Sequence, residues 1–399
     1  MRISEFCYCQ SPELRATRSH RPVRHSYLQV RSKRLLSAVC LAALCIILTL
    51  GLWPFHSPPN QVTWLSGSNG LSFGNSGTVL SPGALQVSSA ADKACCTIEI
   101  WAQPRTNQDS ATLLAFYVPE NPYHLRLRQS LTDLRIQAEI PSGPHNAATR
   151  SFYVPEVFRR GRPVFITITS GGHGTKVYLA GRFAGMDSEL RIPKSAFTGQ
   201  ILLGDSPLQP DSWSGQVRGL AIYDAELSAS QVFQHYDTWT KNGRPEVSAQ
   251  ERTIALYLLG EHRGRIVHNQ VKSGIDLYIP ERYMVVNKIF MEPFWKEFNL
   301  SRSYWSAVLK NIVGFIPLGF CFYVYASVLR IKRATLLTVF LGGVVSVTIE
   351  ILQAYLPTRD SGTTDIITNT LGTWGGVLLY QRVSRSRWLR QKLLSVNAG

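Results

Sequence analysis

Six polar residues stand inside or beside the apolar runs of the last third of this chain: Asn311, Glu350, Gln353, Arg359, Asp365 and Asn369. Ionisable groups at membrane depth face a partner or a water-filled cavity rather than lipid. Gathered in one layer, two carboxylates, three amides and a guanidinium would make a polar pocket able to hold a charged or hydroxylated group. Spread between helices, the same residues would be hydrogen-bonding glue. Both readings stand at this stage, as does a third in which Glu350 and Asp365 share a proton as an acid/base pair. Hydrolysis or group transfer would need an activated nucleophile or a metal. No His lies between Trp305 and Tyr380, and no His/Cys set has zinc-ligand spacing. A binding role therefore stands ahead of an enzymatic one.

Those residues need elements to hold them. Four apolar stretches, Leu35 to Trp53, Trp305 to Leu329, Ala334 to Leu356 and Thr364 to Tyr380, predict four transmembrane helices. Each approaches the roughly 20 residues that cross a hydrocarbon core of about 30 Å, the last being short. Gly342, Ser346 and Glu350 recur at steps of four, as do Asp365 and Asn369, followed by Gly372 and Gly376. Small and polar residues thus share helix faces and allow close approach.

Charge sets the orientation. Residues 1–34 hold eight Lys/Arg against two acids, Arg330 to Arg333 holds three Lys/Arg, and the chain from Arg382 onward holds five with no acid. These segments carry most of the formal net charge of +16. By the positive-inside rule all three are cytoplasmic, with both termini inside and the region between the first two spans outside. The basic residues are accounted for by retention beside membrane spans, so no nucleic-acid partner is expected. Trp53-Pro54-Phe55 follows the first span in place of the small residues a signal peptidase requires, so this span is read as retained. Of the cysteines, only the adjacent Cys95 and Cys96 fall outside both the membrane and the cytoplasm, and neighbours pair only with strain, so no disulfide framework is expected.

From residue 60 to 280 the pattern changes to period two. Leu134, Ile136, Ala138 and Ile140 alternate with Arg135, Gln137 and Glu139, the signature of a half-buried strand. Similar runs occur at 96–101, 112–118, 124–128, 164–169, 175–180 and 216–223, and Ser170-Gly171-Gly172-His173-Gly174 suits a tight hairpin. One helix is expected near Ser228 to Trp239, with Ser228 and Gln231 as a capping box. This composition predicts an antiparallel β-sandwich of jelly-roll type, inserted between the first and second spans.

The strand Thr97 to Pro104, the hairpin Phe165 to Gly181 and the ending Trp213 to Ser228 resemble the concanavalin A-like, laminin-G-like domains. In that resemblance Gly181 and Gly215 close tight turns and Trp101 packs near the core. It implies binding of carbohydrate or glycoconjugate, in some members with calcium, for which Asp92 or Asp205 are the candidate acids. No other cofactor or metal is expected. Sugar faces need exposed rings, and Trp64, Tyr117, Tyr123 and Trp213 are the candidates, with core packing as the alternative for each. The region lacks the paired carboxylates of a glycosidase, and Asp187-Ser188-Glu189 reads as a turn.

Between sandwich and membrane, residues 281–304 carry Val286, Phe290, Phe294 and Phe298 at steps of four, interrupted by Pro293. That stripe predicts an interfacial helix at the outer surface. Then Asn-Ile-Val-Gly-Phe-Ile-Pro-Leu-Gly-Phe (311–320), Ile-Glu-Ile-Leu-Gln (349–353) and Arg-Asp-Ser-Gly-Thr-Thr-Asp-Ile-Ile-Thr-Asn-Thr-Leu-Gly (359–372) resemble the VanZ-like bacterial membrane proteins over about residues 284–383. That family is named for a member associated with glycopeptide resistance, and the resemblance supplies no biochemical activity.

The expected order is a basic leader (1–34), a first span (35–53), the sandwich (60–280), the interfacial linker (281–304), a three-helix VanZ-like domain (305–383) and a basic tail (384–399). The fold class is a membrane α-helical bundle plus an all-β domain. The expected place is a bacterial plasma membrane, and the expected partners are the lipid bilayer, an extracytoplasmic glycan or lipid-linked sugar, and envelope proteins. The rival readings are an intramembrane enzyme acting on a lipid-linked envelope precursor and a purely structural anchor.

Overall fold

In the computed structural model the described residues are 23–85, 95–108, 110–141, 147–272 and 274–396. They form two compact units: 52–297 with 348–363, and a helical unit of 23–51, 298–347 and 364–396. The basic leader before residue 23 and Asp92 lie outside the described residues.

The first unit is a β-sandwich. Its strands are β1 (Val62–Trp64), β2 (Leu71–Phe73), β3 (Val79–Leu85), β4 (Cys96–Pro104), β5 (Ser110–Val118), β6 (Asn121–Ser130), β7 (Asp133–Pro141) and β8 (Ala147–Val154). They continue with β9 (Val164–Gly171), β10 (Gly174–Leu179), β11 (Arg182–Asp187), β12 (Gly199–Leu203), β13 (Gly215–Tyr223), β14 (Thr253–Tyr257), β15 (Ile266–Val267) and β16 (Leu277–Tyr278). One sheet runs β1-β2-β13-β4-β9-β10-β11, with β14 also paired to β13. The other runs β15-β16-β3-β12-β5-β6-β7-β8, and every pairing within the two sheets is antiparallel. Every strand expected from period-two alternation is present, because alternation puts one apolar row per strand into the shared core. Ile98, Ile100, Leu114, Phe116, Leu125, Leu127, Leu134 and Ile136 are among the fully buried members of that core.

The outer faces are covered differently. On the first sheet, α2 (Ala229–Asn242), preceded by α1 (Val23–Leu52) in the helical unit, lays Val232 and Trp239 over Phe165, Tyr178, Ala221 and Tyr223. Its Ser228–Gln231 capping box forms as expected. Gly219 is required beneath it, since a Cβ there would run into the Trp239 ring. Gly181 sits in the β10–β11 turn at φ 75°. Gly215 instead starts β13, where a Cβ would strike the Trp213 ring and the Gln103 carbonyl, so it serves close approach and not a turn.

On the second sheet, Leu80, Ala115, Tyr117 and Leu202 meet Val286 of the segment that follows the sandwich. That segment is not the interfacial helix its stripe predicts: from Val286 to Phe298 only α3 (Phe294–Glu297) is helical. Pro293 blocks propagation from the N-terminal side, and the backbone is bonded elsewhere. Asn287 N–H donates to Pro207 O, Ile289 N–H to Leu208 O, and Glu292 forms a parallel bridge with Gly362.

The helical unit comprises α1, α4 (Arg302–Val328), α5 (Ala334–Ala354, whose last turns enter the first unit) and α6 (Thr363–Val396). Among the described residues three helices are long and apolar enough to cross a membrane: Lys33–Leu52, Tyr304–Val328 and Ala334–Ala354. The protein is accordingly of membrane type. The 34-residue α6 is long enough, but Asp365, Asn369 and five threonines lie within 363–373 and dilute its hydropathy. It also runs past Tyr380 without a break, so the basic tail begins as helix.

Candidate functional site

In the helical unit the polar residues pair across helices. Asn311 Nδ2 of α4 donates to Asp365 Oδ1 of α6 at 2.7 Å, and Asn369 Nδ2 donates to Ser346 Oγ of α5 at 2.9 Å. Small residues make the approach close. A Cβ on Gly372 would meet the Ile312 carbonyl, one on Gly376 the Ile316 carbonyl, and one on Gly342 the Thr373 side chain. Asn311, Asp365 and Asn369 thus act in this unit as contacts between neighbouring helices.

Glu350, Gln353 and Arg359 belong to the other unit. Glu350 is 1% exposed; its Oε2 accepts the Gly362 N–H at 2.9 Å, while Ser361 Oγ donates to its carbonyl at 3.1 Å. Lys288 Nζ donates to the carbonyls of Gln353 and Leu356 at 2.5 and 2.6 Å, capping the end of α5. Burial pushes the Lys288 ammonium down, against the pull of Asp360 and Glu350. Thr363 N–H and Oγ both donate to Glu292 O, and the Glu297 carboxylate lies against Gly362. Lys288, Glu292 and Glu297 carry no motif in the sequence that marks them as a group. The visible signal was a lone lysine in the apolar run Val285-Val286-Asn287-Lys288-Ile289-Phe290.

Of the four rings named for sugar contact, two are taken up by packing. Trp213 is 1% exposed, edge-on to Phe73, with Nε1 donating to Gln129 Oε1 at 2.7 Å. Tyr117 is 7% exposed beneath Val286. The side chain of Tyr123 lies outside the described residues. Trp64 is placed differently. It borders an open hollow of about 590 Å³ lined also by Ser66, Ser68, Asn69 and His262, and its Nε1 donates to Gly264 O at 2.9 Å, which fixes the ring. A smaller hollow of about 340 Å³ lies between Thr106, Ser110, Gln129, Asp211 and Ser212.

Asp205 is fully buried. Its Oδ1 accepts the N–H groups of Ser206 and Asp211 at 2.8 and 3.0 Å, so it builds the turn before β13. Burial pushes its carboxyl up to about 7. Among the described residues no group of three His, Cys, Asp or Glu side chains converges as a metal site. A second buried set joins α2 to the sheet: His235 Nδ1 lies 3.1 Å from Glu99 Oε2, its Nε2 3.3 Å from Glu251 Oε2, and Tyr223 donates to Glu99 at 2.9 Å. The carboxylates, Glu99 foremost, outweigh burial and raise the His235 imidazole. Asp187 ends β11, accepts the N–H groups of Glu189 and Leu190, and shares Arg150 with Glu189, which is the turn expected there.

The outer face of β6, β7 and β8 carries a set of groups brought together only by strand register. Register places Arg128, Arg135 and Tyr153 in one cross-strand row and Arg126, Gln137 and Ser151 in the next. Arg126 Nε donates to Gln137 Oε1 at 2.6 Å, Gln137 Nε2 and Arg135 donate to Ser151 Oγ at 3.2 and 3.1 Å, and the Arg135 guanidinium lies 5.2 Å from the centre of the Tyr153 ring.

The VanZ/LLP1 family profile matches residues 259–385, and that of the concanavalin A-like lectin/glucanases superfamily matches residues 73–233. No curated protein matches the chain significantly. Among solved structures, a native heptameric SAP-like pentraxin from Limulus polyphemus is 13% identical, with 57% of this chain and 95% of that one covered and a TM-score of 0.35. The botulinum neurotoxin serotype G binding domain is 14% identical, with 46% of each chain covered and a TM-score of 0.35. This chain thus spans less than half of that domain's length. With both regions matched and both kinds of element in place, the protein carries a VanZ-like domain joined to a concanavalin A-like, laminin-G-like β-sandwich.

Proposed function

We propose that this is a cell-envelope membrane protein whose extracytoplasmic sandwich binds a glycan, free or lipid-linked, while its helices hold it at the bilayer. The hollow beside Trp64 carries the reading. It combines an indole locked by its own hydrogen bond with hydroxyl, amide and imidazole groups, the mixture that suits the apolar face and hydroxyl rim of a sugar. Full-length protein in phosphatidylcholine nanodiscs, screened against neutral and acidic glycans, should bind at least one of them. Trp64→Ala should weaken that binding by about tenfold or more without altering the circular dichroism spectrum. Glycan binding that is indifferent to Trp64 would remove the hollow as its site.

In this reading α6 is a fourth crossing. Thr364 to Tyr380 spans only about 25 Å, but the continuous helix extends to about 50 Å and so reaches across a core of about 30 Å. With basic residues before α1, between α4 and α5, and along the end of α6, both termini are cytoplasmic and the sandwich is outside. Reporters fused at Lys332 should register inside and those near Ser361 outside. An outside signal at Lys332 sinks the four-crossing arrangement.

A further inference from the structure

We propose that the outer face of β6, β7 and β8 is a binding surface for a carboxylated polysaccharide, centred on Arg135. The inference rests on the reading of the sandwich as a glycan-binding domain and names a ligand class and a surface apart from the Trp64 hollow.

Two arginines near this face are met by carboxylates: Arg128 by Asp211 at 3.1 Å, and Arg150 by Asp187 and Glu189. Arg135 is treated differently. Among the described residues it has no carboxylate at ion-pair distance; it is positioned by the Ser151 hydroxyl and by the Tyr153 ring. Neutral partners fix the guanidinium's direction and leave its charge to be met from outside. Ser151 Oγ already accepts from Arg135 and Gln137, which leaves its own hydrogen to donate to a ligand oxygen. Tyr153, half-exposed at 50%, adds apolar surface of the kind a sugar ring covers. Arg126 is the diagonal neighbour of Arg135 across β6 and β7, about 7–8 Å away. Its positive charge adds to the attraction an anionic polymer meets at Arg135.

The form of the anion follows from the backbone. Strands β6 and β7 are paired on both sides, so this face has no nest of free N–H groups to wrap a tetrahedral phosphate. Guanidinium forks match carboxylate and phosphate alike, so the missing backbone nest is what favours the carboxylate.

The test uses full-length protein in phosphatidylcholine nanodiscs, with oligogalacturonate and its fully methyl-esterified, uncharged form as probes. The free acid should bind, more weakly as salt rises, and the ester should gain nothing from Arg135. Arg135→Gln should lower affinity for the acid by about tenfold or more. Ser151→Ala should lower it less, and Arg159→Gln, an exposed arginine in the β8–β9 turn, should not change it. Unchanged circular dichroism of each variant keeps misfolding apart from lost binding. Equal losses from Arg159→Gln and Arg135→Gln would mean general charge attraction and overturn the site. Tighter, Arg135-dependent binding of a glycerol-phosphate polymer would overturn the carboxylate assignment. Trp64-dependent binding of the ester without Arg135-dependent binding of the acid defeats this inference alone, whereas failure of both polymers and of the wider screen defeats the glycan reading too.

Discussion

Replacing Asp205 with Asn should stabilise the sandwich at alkaline pH and remove much of its pH dependence. The Asp205 carboxyl is fully buried; Oδ1 receives two N–H groups, and these together with the neighbouring Tyr283 hydroxyl only partly offset the burial. Burial pushes its pKa from 3.8 up to about 7. The folded state therefore keeps a proton that the unfolded chain releases, so the stability contributed is full below the unfolded value and is lost as pH rises through the folded value. A displacement of about three units at about 1.36 kcal/mol each sets a ceiling of about 4 kcal/mol by pH 8. Asn keeps the Oδ1 acceptor and offers Nδ2–H towards Tyr283, while paying for burial of the amide, so a gain of about 1–3 kcal/mol is expected at pH 8 and little near pH 5. Urea unfolding of a fragment covering residues 52–297, followed by the fluorescence of buried Trp213 and Trp239, measures it. His235, also raised, loses its contribution in the same direction from its unfolded value of 6.5 upward, but it is common to both proteins and cancels in the difference. If Asp205→Asn destabilises more at about pH 8 than at about pH 5, the buried-acid argument is wrong.

Three further outcomes follow from the same geometry. His235→Leu leaves Glu99 and Glu251 buried without the imidazole between them and should cost about 3–5 kcal/mol in the same unfolding assay. Gly372→Leu and Gly376→Leu should each reduce the amount of protein in the membrane fraction, because α4 backbone occupies the space a side chain would need; normal accumulation would contradict the close packing of α4 and α6. Glu350→Gln retains an acceptor for the Gly362 N–H and should accumulate normally, whereas Glu350→Ala leaves that buried donor unmet and should lose about 1–3 kcal/mol, read as a lower melting temperature in detergent.

The sequence by itself determined the elements. Period-two runs such as 134–140 could only be strands with one face buried, and apolar runs such as 334–354 could only be helices in an apolar medium, because these patterns depend on local backbone geometry. The Ser228 capping box was legible for the same reason: all its atoms lie within four residues. Whatever depended on register or on distant partners was not. Trp64 and Trp213 look alike in sequence, yet one borders an open hollow and the other is sealed against Phe73 and Gln129, since exposure is set by strands far along the chain. The stripe from Val286 to Phe298 has helical spacing, but its N–H groups find acceptors at Pro207, Leu208 and Ser361, and long-range bonds outweigh a helix interrupted by Pro293. Arg126 and Arg135 sit nine positions apart in the chain and become neighbours only when β6 and β7 pair, so a basic surface hidden in alternation took form in the register of the folded sheet.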